Sequence, residues 1–272
     1  MSRLESDYYT YMGYDPEHSK AGLRHYLQWF SAGPVLELAC GRGEFLELLR
    51  EAGVAGEGID LDDGMVELAR EAGHTVQLAD ALTGLRSRPA DSVQGVFSAH
   101  FAEHLEPDDL EAVVAESARV LAPGGHFVAA TPNAACLSVI GHDFWRDPTH
   151  IRFYEPRLLA FYCAKAGLDV VETGGNPQNH AGPPPHALAP PTRVDADLRP
   201  DIATAIQRIT DPKSKGKADP DSPWHLFGHF LSVLEERLRS TQEELAGVRR
   251  SYAHLLDALY PSNEVYVVAR AV

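Results

Sequence analysis

Cysteine is scarce: Cys40, Cys136 and Cys163 are an odd number in 272 residues and no two share a CxxC spacing, which argues against a disulfide framework and a structural zinc site. No apolar run approaches the eighteen residues that a membrane helix needs, and no apolar stretch follows a basic start at the N-terminus, so neither a span nor a secretory signal is expected. A cytoplasmic address is the simplest expectation. Positive charge is also short. With Lys+Arg 24 against Asp+Glu 39 the formal net charge is -15, which repels the phosphate backbone that supplies most nucleic-acid affinity. A nucleic-acid partner is therefore not expected. What remains is an ordinary globular composition, 44% hydrophobic and 23% charged.

Short apolar runs alternate with amphipathic stretches from Pro34 onward, the pattern of βα units on a mostly parallel sheet. Strands are expected at Val35 to Ala39, Gly56 to Leu61, Thr75 to Leu78, Ser92 to Ala99, His126 to Ala130, Leu168 to Thr173 and Glu264 to Ala271. Helices are expected at Glu44 to Ala52, Asp63 to Ala72, Pro107 to Leu121 and Glu155 to Ala166. Residues 1–32, rich in tyrosine, read as a helical lid, and 33–175 as the main domain. The Pro-rich segment and long helix of 176–262 read as an insertion, cap or oligomerisation arm, before a final strand at 263–272. In the helix expected from Trp224 to Tyr260, Leu231, Leu234, Leu238, Thr241, Leu245, Val248, Tyr252, Leu255 and Leu259 form a heptad seam, readable as intrasubunit packing or as a homodimer contact.

The strongest chemical signal is Val35-Leu36-Glu37-Leu38-Ala39-Cys40-Gly41-Arg42-Gly43, a buried strand entering a glycine turn where a ligand can approach the backbone. Asp60 closes the second strand 19 residues after Gly41, where an acid can accept from ribose hydroxyls. Leu46 stands where a dinucleotide fingerprint has its third glycine, which makes NAD the poorer fit.

From Val35 through Asn133 the chain resembles the class I S-adenosylmethionine (SAM)-dependent methyltransferases. E-L-A-C-G-R-G at Glu37–Gly43, G-I-D-L at Gly58–Leu61, A-D-A-L at Ala79–Leu82, H-F-A-E-H-L at His100–Leu105 and L-A-P-G-G at Leu121–Gly125 occur in that family's order. The resemblance implies a doubly wound, seven-stranded Rossmann-like α/β sheet with the last strand antiparallel, here carrying a helical insertion before it. It also implies SAM as cofactor, with Gly41 and Gly43 at the methionine moiety, Asp60 at the ribose and Asp80 with Ala81 near the adenine. Glu37, Ala39, Leu61 and His100 complete the expected cofactor contacts.

An acceptor oxygen must be aligned behind the methyl and must lose its proton to a base. His150, His100 and Asp147 are the candidates for that work, and His104, Trp145, Arg152 and Tyr154 the expected acceptor contacts. The segment D-P-T-H-I-R-F-Y at Asp147–Tyr154 resembles a loop of bacterial sugar and polysaccharide methyltransferases, which implies a saccharide hydroxyl as acceptor. A phenolic or other secondary metabolite is the alternative small molecule, and a noncatalytic SAM-binding scaffold the alternative of another class. No metal is assigned, although His142, Asp143, Asp147 and His150 offer donors that suit a divalent cation. Asn179, His180, His186, Trp224, His225 and His229 would reach the crevice if the insertion caps it.

Overall fold

The fold, taken from a computed structural model, is described for residues 4–180 and 223–272. Those residues belong to two compact units, one holding 4–180 with Leu259–Val272 and the other lying within Pro183–Ala258.

The first unit is a seven-stranded sheet of β1 (Val35–Leu38), β2 (Gly56–Asp60), β3 (Val76–Leu78), β4 (Val93–Ala99), β5 (Leu121–Pro132), β6 (Asp169–Gly175) and β7 (Glu264–Arg270). The strand order is β3-β2-β1-β4-β5-β7-β6. The first five strands are parallel, and β7 runs antiparallel between β5 and β6. The order reverses between β1 and β4, and at such a switch point the carboxyl ends of two strands part to leave a crevice.

Eight α-helices accompany the sheet among the described residues of this unit: α1 (Leu4–Met12), α2 (Pro16–Leu23), α3 (Glu44–Glu51), α4 (Asp63–Glu71), α5 (Ala81–Arg86), α6 (Pro107–Val120), α7 (Leu137–Gly141) and α8 (Pro156–Lys165). Their starts follow local chemistry. α3 begins after Gly43 at φ +87, a conformation that favours glycine, and buries Phe45, Leu46, Leu48 and Leu49. Asp62 caps α4 by accepting from the Met65 amide at 3.0 Å, Asp80 caps α5 through the Thr83 amide at 2.8 Å, and Pro107 opens α6.

Two apolar layers clamp the sheet. One gathers Leu36, Leu38, Val96, Leu110, Val114, Phe127 and Leu159, and the other Val35, Phe45, Leu49, Phe97, Val128 and Val268 with Tyr26 and Phe30 from the N-terminal region. The tyrosine-rich start forms α1 and α2, and Tyr26, Trp29 and Phe30 after them pack into the second layer. The expected strand at His126 to Ala130 is longer, because Leu121 and the Pro123-Gly124-Gly125 stretch join it. The short α5 leaves no periodic signal in the sequence, since six residues are too few to show a helical period.

In the second unit the helix α9 (Pro223–Leu259) spans 37 residues, close to the expected Trp224 to Tyr260. Leu234, Leu238, Leu245, Val248 and Leu255 of its seam are exposed. The Pro-rich stretch, with His186, lies outside the described residues, as do the side chains of Trp224, His225, His229 and Leu231.

Candidate active site

A cavity of about 470 Å³ opens at the carboxyl ends of β1, β2 and β4, where the strand order predicts it. Both central strands leave the sheet through non-glycine residues with positive φ, Ala39 at +51 and His100 at +52. Such conformations cost about 1–3 kcal/mol each and persist where the surroundings enforce them, commonly at ligand sites. Both residues line the cavity.

On the side of β2 and β3 the walls are Ile59, Asp60, Leu61, Asp62, Ala79, Asp80, Ala81 and Leu82. Asp60 is almost fully buried, and its two oxygens accept one backbone amide each, Gly41 at 2.8 Å and Asp62 at 2.8 Å. Burial raises the Asp60 pKa, against those amides, which lower it. Hydrogen bonds from Thr83 hold Asp80 below the ordinary carboxylate range. Helix α1 roofs this side through Leu4, Glu5 and Tyr8. Burial, followed by the charges of Asp60 and Asp62, pushes Glu5 from 4.5 up to about 8.

Glu37, Gly41 and Gly43 are not among the cavity walls. Glu37 is buried within β1, where desolvation raises its pKa well above the carboxylate range. A Cβ on Gly41 would meet no protein atom, whereas one on Gly43 would strike the His74 ring at 2.7 Å, so Gly43 serves the packing of this turn.

The opposite wall is His100, Phe101, His104, Leu105, Asp147, Pro148 and Thr149. His100 stands between two buried carboxylates, with Nε2 2.7 Å from Glu264 and Nδ1 3.4 Å from Glu103. Burial opposes its charge, but the pairing with Glu103 and Glu264 wins and holds the imidazole well above its usual range. That pairing favours the charged ring and disfavours His100 as a proton acceptor. Glu264 is fixed in turn by the Tyr26 hydroxyl and by Asn176 Nδ2 at 2.8 Å. Burial lowers the His104 pKa, so this ring favours the neutral form.

Asp147 Oδ1 accepts from the Thr149 amide at 2.8 Å and hydroxyl at 2.5 Å, which bends the loop so that both residues face the cavity. His150 is half-buried behind them and donates Nδ1–H to the Phe144 carbonyl at 2.7 Å, outside the cavity walls. Three expected acceptor contacts also lie off the walls. Tyr154 is buried in the core and donates its hydroxyl to the Leu105 carbonyl at 2.8 Å, Arg152 stacks over the Tyr154 ring, and the exposed Trp145 donates its indole N–H to the Ile140 carbonyl at 2.8 Å. Asn179 packs against Gly22 and, with His180, is absent from the walls. The quartet His142, Asp143, Asp147 and His150 does not converge: His142 is paired with Asp143 at 2.9 Å and both are exposed.

Reading from the chain alone passed over Glu5, Glu103, Glu264, Tyr26, Asn176 and Thr149. One signal was available for Glu264, an acid at the head of the wholly apolar run Val265–Ala269. Charge decides what the cavity can hold. Asp60, Asp62, Asp80, Asp109 and Asp147 surround it, a field that repels a pyrophosphate and attracts a cationic ligand such as a sulfonium.

A family model described as "Methyltransferase domain" matches residues 9–173. A probable SAM-dependent methyltransferase of Mycolicibacterium smegmatis is 32% identical over 141 residues, covering 52% of this chain and 54% of that protein. A ubiquinone biosynthesis O-methyltransferase of Cupriavidus pinatubonensis is 30% identical over 160 residues, covering 53% and 64%. The chain thus spans less than two thirds of these relatives. Among solved structures, a SAM-dependent methyltransferase from Archaeoglobus fulgidus superposes with a TM-score of 0.66 at 24% identity over 98% of this chain and 99% of that one, a likeness of fold. With a family model covering more than half its length and the strand order of the sheet in agreement, the chain belongs to the methyltransferase-domain family and has the fold of a class I, SAM-dependent methyltransferase.

Proposed function

We propose that this protein transfers the methyl group of SAM to a hydroxyl oxygen of a small, uncharged, polyhydroxylated acceptor of the saccharide kind. The observation that carries the reading is the division of one cavity into two chemistries. The Asp60 and Asp80 side offers carboxylates to a nucleoside and a positive sulfonium, and the His104, Asp147 and Thr149 side offers polar groups to an acceptor. In the transfer the S–CH3 bond breaks as the O–CH3 bond forms, S-adenosylhomocysteine leaves, and the hydroxyl proton passes to a base. Asp147 is that base in this reading, because Thr149 takes up only Oδ1 and the residue borders the cavity. His100 supports the wall as an imidazolium, and His150 holds the loop from behind.

A phenolic acceptor is the second reading, favoured by the ubiquinone O-methyltransferase relatives. Against it, among the described residues the cavity walls carry only Tyr8 and Phe101 as phenyl or phenol rings, whereas a phenol pocket would be predominantly aromatic. Incubation with SAM and a panel of saccharides and phenols, read by S-adenosylhomocysteine release and by mass spectrometry of the products, separates the two. Absence of S-adenosylhomocysteine release with every acceptor of both kinds would leave a SAM-binding scaffold.

Two further proposals concern the chain as a whole. The exposed leucines of the α9 seam support self-association through that helix into a homodimer. The three cysteines are buried and free, which suits the reducing cytoplasm, and no described helix is long and apolar enough to cross a membrane.

A further inference from the structure

Glu103 is wholly buried beneath the acceptor wall. Its Oε2 accepts from the Thr131 hydroxyl at 3.0 Å, but Oε1 has no hydrogen-bond partner. Of the nearest nitrogens, His100 Nδ1 at 3.4 Å makes a charge contact and His150 Nε2 stands at 3.9 Å, and neither has the geometry of a hydrogen bond. A buried carboxylate oxygen left in this way is costly, and each such case calls for a reason.

The two neighbouring histidines are locked into matching tautomers. His150 gives its Nδ1–H to the Phe144 carbonyl, which leaves Nε2 with a lone pair. The Thr149 hydroxyl spends its proton on Asp147 Oδ1, so at 2.9 Å from His104 it accepts the Nδ1–H of that ring, and His104 Nε2 is left with a lone pair as well. Metal-binding histidines are commonly fixed in this manner, the outer nitrogen donating to a carbonyl or a polar group while the inner one ligates. The Glu103 carbonyl accepts the Ile151 amide at 2.8 Å, which ties the His150 loop to the segment holding Glu103 and His104.

One donor atom from each of Glu103, His104 and His150 lies within 4.8 Å of the other two. Metal bonds of about 2.0–2.2 Å place neighbouring ligands roughly 3 Å apart, so contraction by up to about 1.8 Å closes the set. We propose that Glu103, His104 and His150 form a binding site for a divalent first-row transition-metal cation at the acceptor wall. Two imidazoles and one carboxylate suit Mn, Fe, Co or Zn better than Mg or Ca, which prefer oxygen alone. Three protein ligands leave coordination positions open, and His104 borders the cavity, so those positions face the acceptor. Resting on the O-methylation reading, the acceptor class narrows to one with two adjacent hydroxyls, since a vicinal diol chelates a cation through both oxygens. The bound hydroxyl becomes more acidic and passes its proton to Asp147 more readily.

The test is binding, without catalysis. Chelator-treated full-length protein is titrated with Co2+, followed by calorimetry and visible absorption, and SAM is titrated separately into the same preparation. One Co2+ per chain is expected, with affinity at least tenfold weaker in His104→Ala and in Glu103→Gln. His104 sits at the cavity wall, so its variant retains the fold even if the buried Glu103 variant does not. Absence of stoichiometric Co2+ binding in a protein that binds SAM overturns the site, as does Co2+ binding of unchanged affinity in both His104→Ala and His150→Ala. Co2+ binding without SAM binding would sink the methyl-transfer reading and leave the metal site standing.

Discussion

The ribose assignment rests on a count of lone pairs. A carboxylate offers about four acceptor sites, and at Asp60 the amides of Gly41 and Asp62 occupy one on each oxygen. One further site per oxygen is left, which is the number two vicinal ribose hydroxyls require. Asp60→Asn keeps the shape but removes the charge and replaces one acceptor by a donor, which faces an amide donor already in place. At least one charge-assisted hydrogen bond to the ligand is lost, about 1.5–3 kcal/mol. At 1.36 kcal/mol per factor of ten, that corresponds to SAM binding weaker by roughly 10- to 150-fold.

Part of the cost falls on the fold itself. The displaced amide, of Gly41 or Asp62, becomes a buried donor without an acceptor, so the melting temperature should fall along with affinity. Calorimetry of SAM and S-adenosylhomocysteine, with thermal unfolding of the same preparation, checks both at once. A folded Asp60→Asn protein that binds SAM as the parent does would refute the lone-pair argument and move the ribose elsewhere.

The remaining predictions can be tested in the same preparations. Asp147→Asn should lower turnover by about 10²- to 10⁴-fold with SAM affinity intact, and unchanged turnover on the true acceptor would exclude Asp147 as the base. Glu5 has a pKa of about 8 in the folded chain against 4.5 when free, so the docked α1 holds a proton that the undocked helix releases. Docking is therefore strongest below pH 4.5 and weakens as pH rises to about 8. Amide exchange over residues 4–12, corrected for intrinsic rates, should be faster at pH 9 than at pH 6 in the parent and equal at both in Glu5→Gln. Replacing Leu238 and Leu245 by Lys should lower the mass seen by light scattering if the α9 seam joins two chains, whereas an unchanged mass with intact helicity excludes that contact.

What the sequence made legible follows the range over which each signal acts. Strand and helix periods, capping acids such as Asp62 and Asp80, and the glycine turn at Gly41 to Gly43 are written within a few residues of one another. They were enough to place the sheet and the turn at the carboxyl end of its first strand. Tyr154 and Arg152 were legible as residue types but not as positions. In the strand-like run His150–Tyr154 nothing local distinguishes a ring turned to the core from one turned to a ligand, and the Leu105 carbonyl that receives the Tyr154 hydroxyl is 49 residues away.

His100 shows the same limit in electrostatic form. Beside His104 and after a central strand it has the sequence position of a base, and its ordinary pKa near 6.5 would suit one. What changes its role is Glu264, 164 residues later on β7, together with Tyr26 and Asn176, which fix that carboxylate from the N-terminal region and from the end of β6. A charge at the head of an apolar strand is expensive unless something pairs with it, so Glu264 implied a buried partner without naming one. The antiparallel β7, lying against β5, delivers that partner to the switch point. Its pairing register therefore bears on chemistry as well as on stability: a shift of one residue would turn Glu264 to the other face of the sheet and remove one of the two carboxylates that raise the His100 pKa.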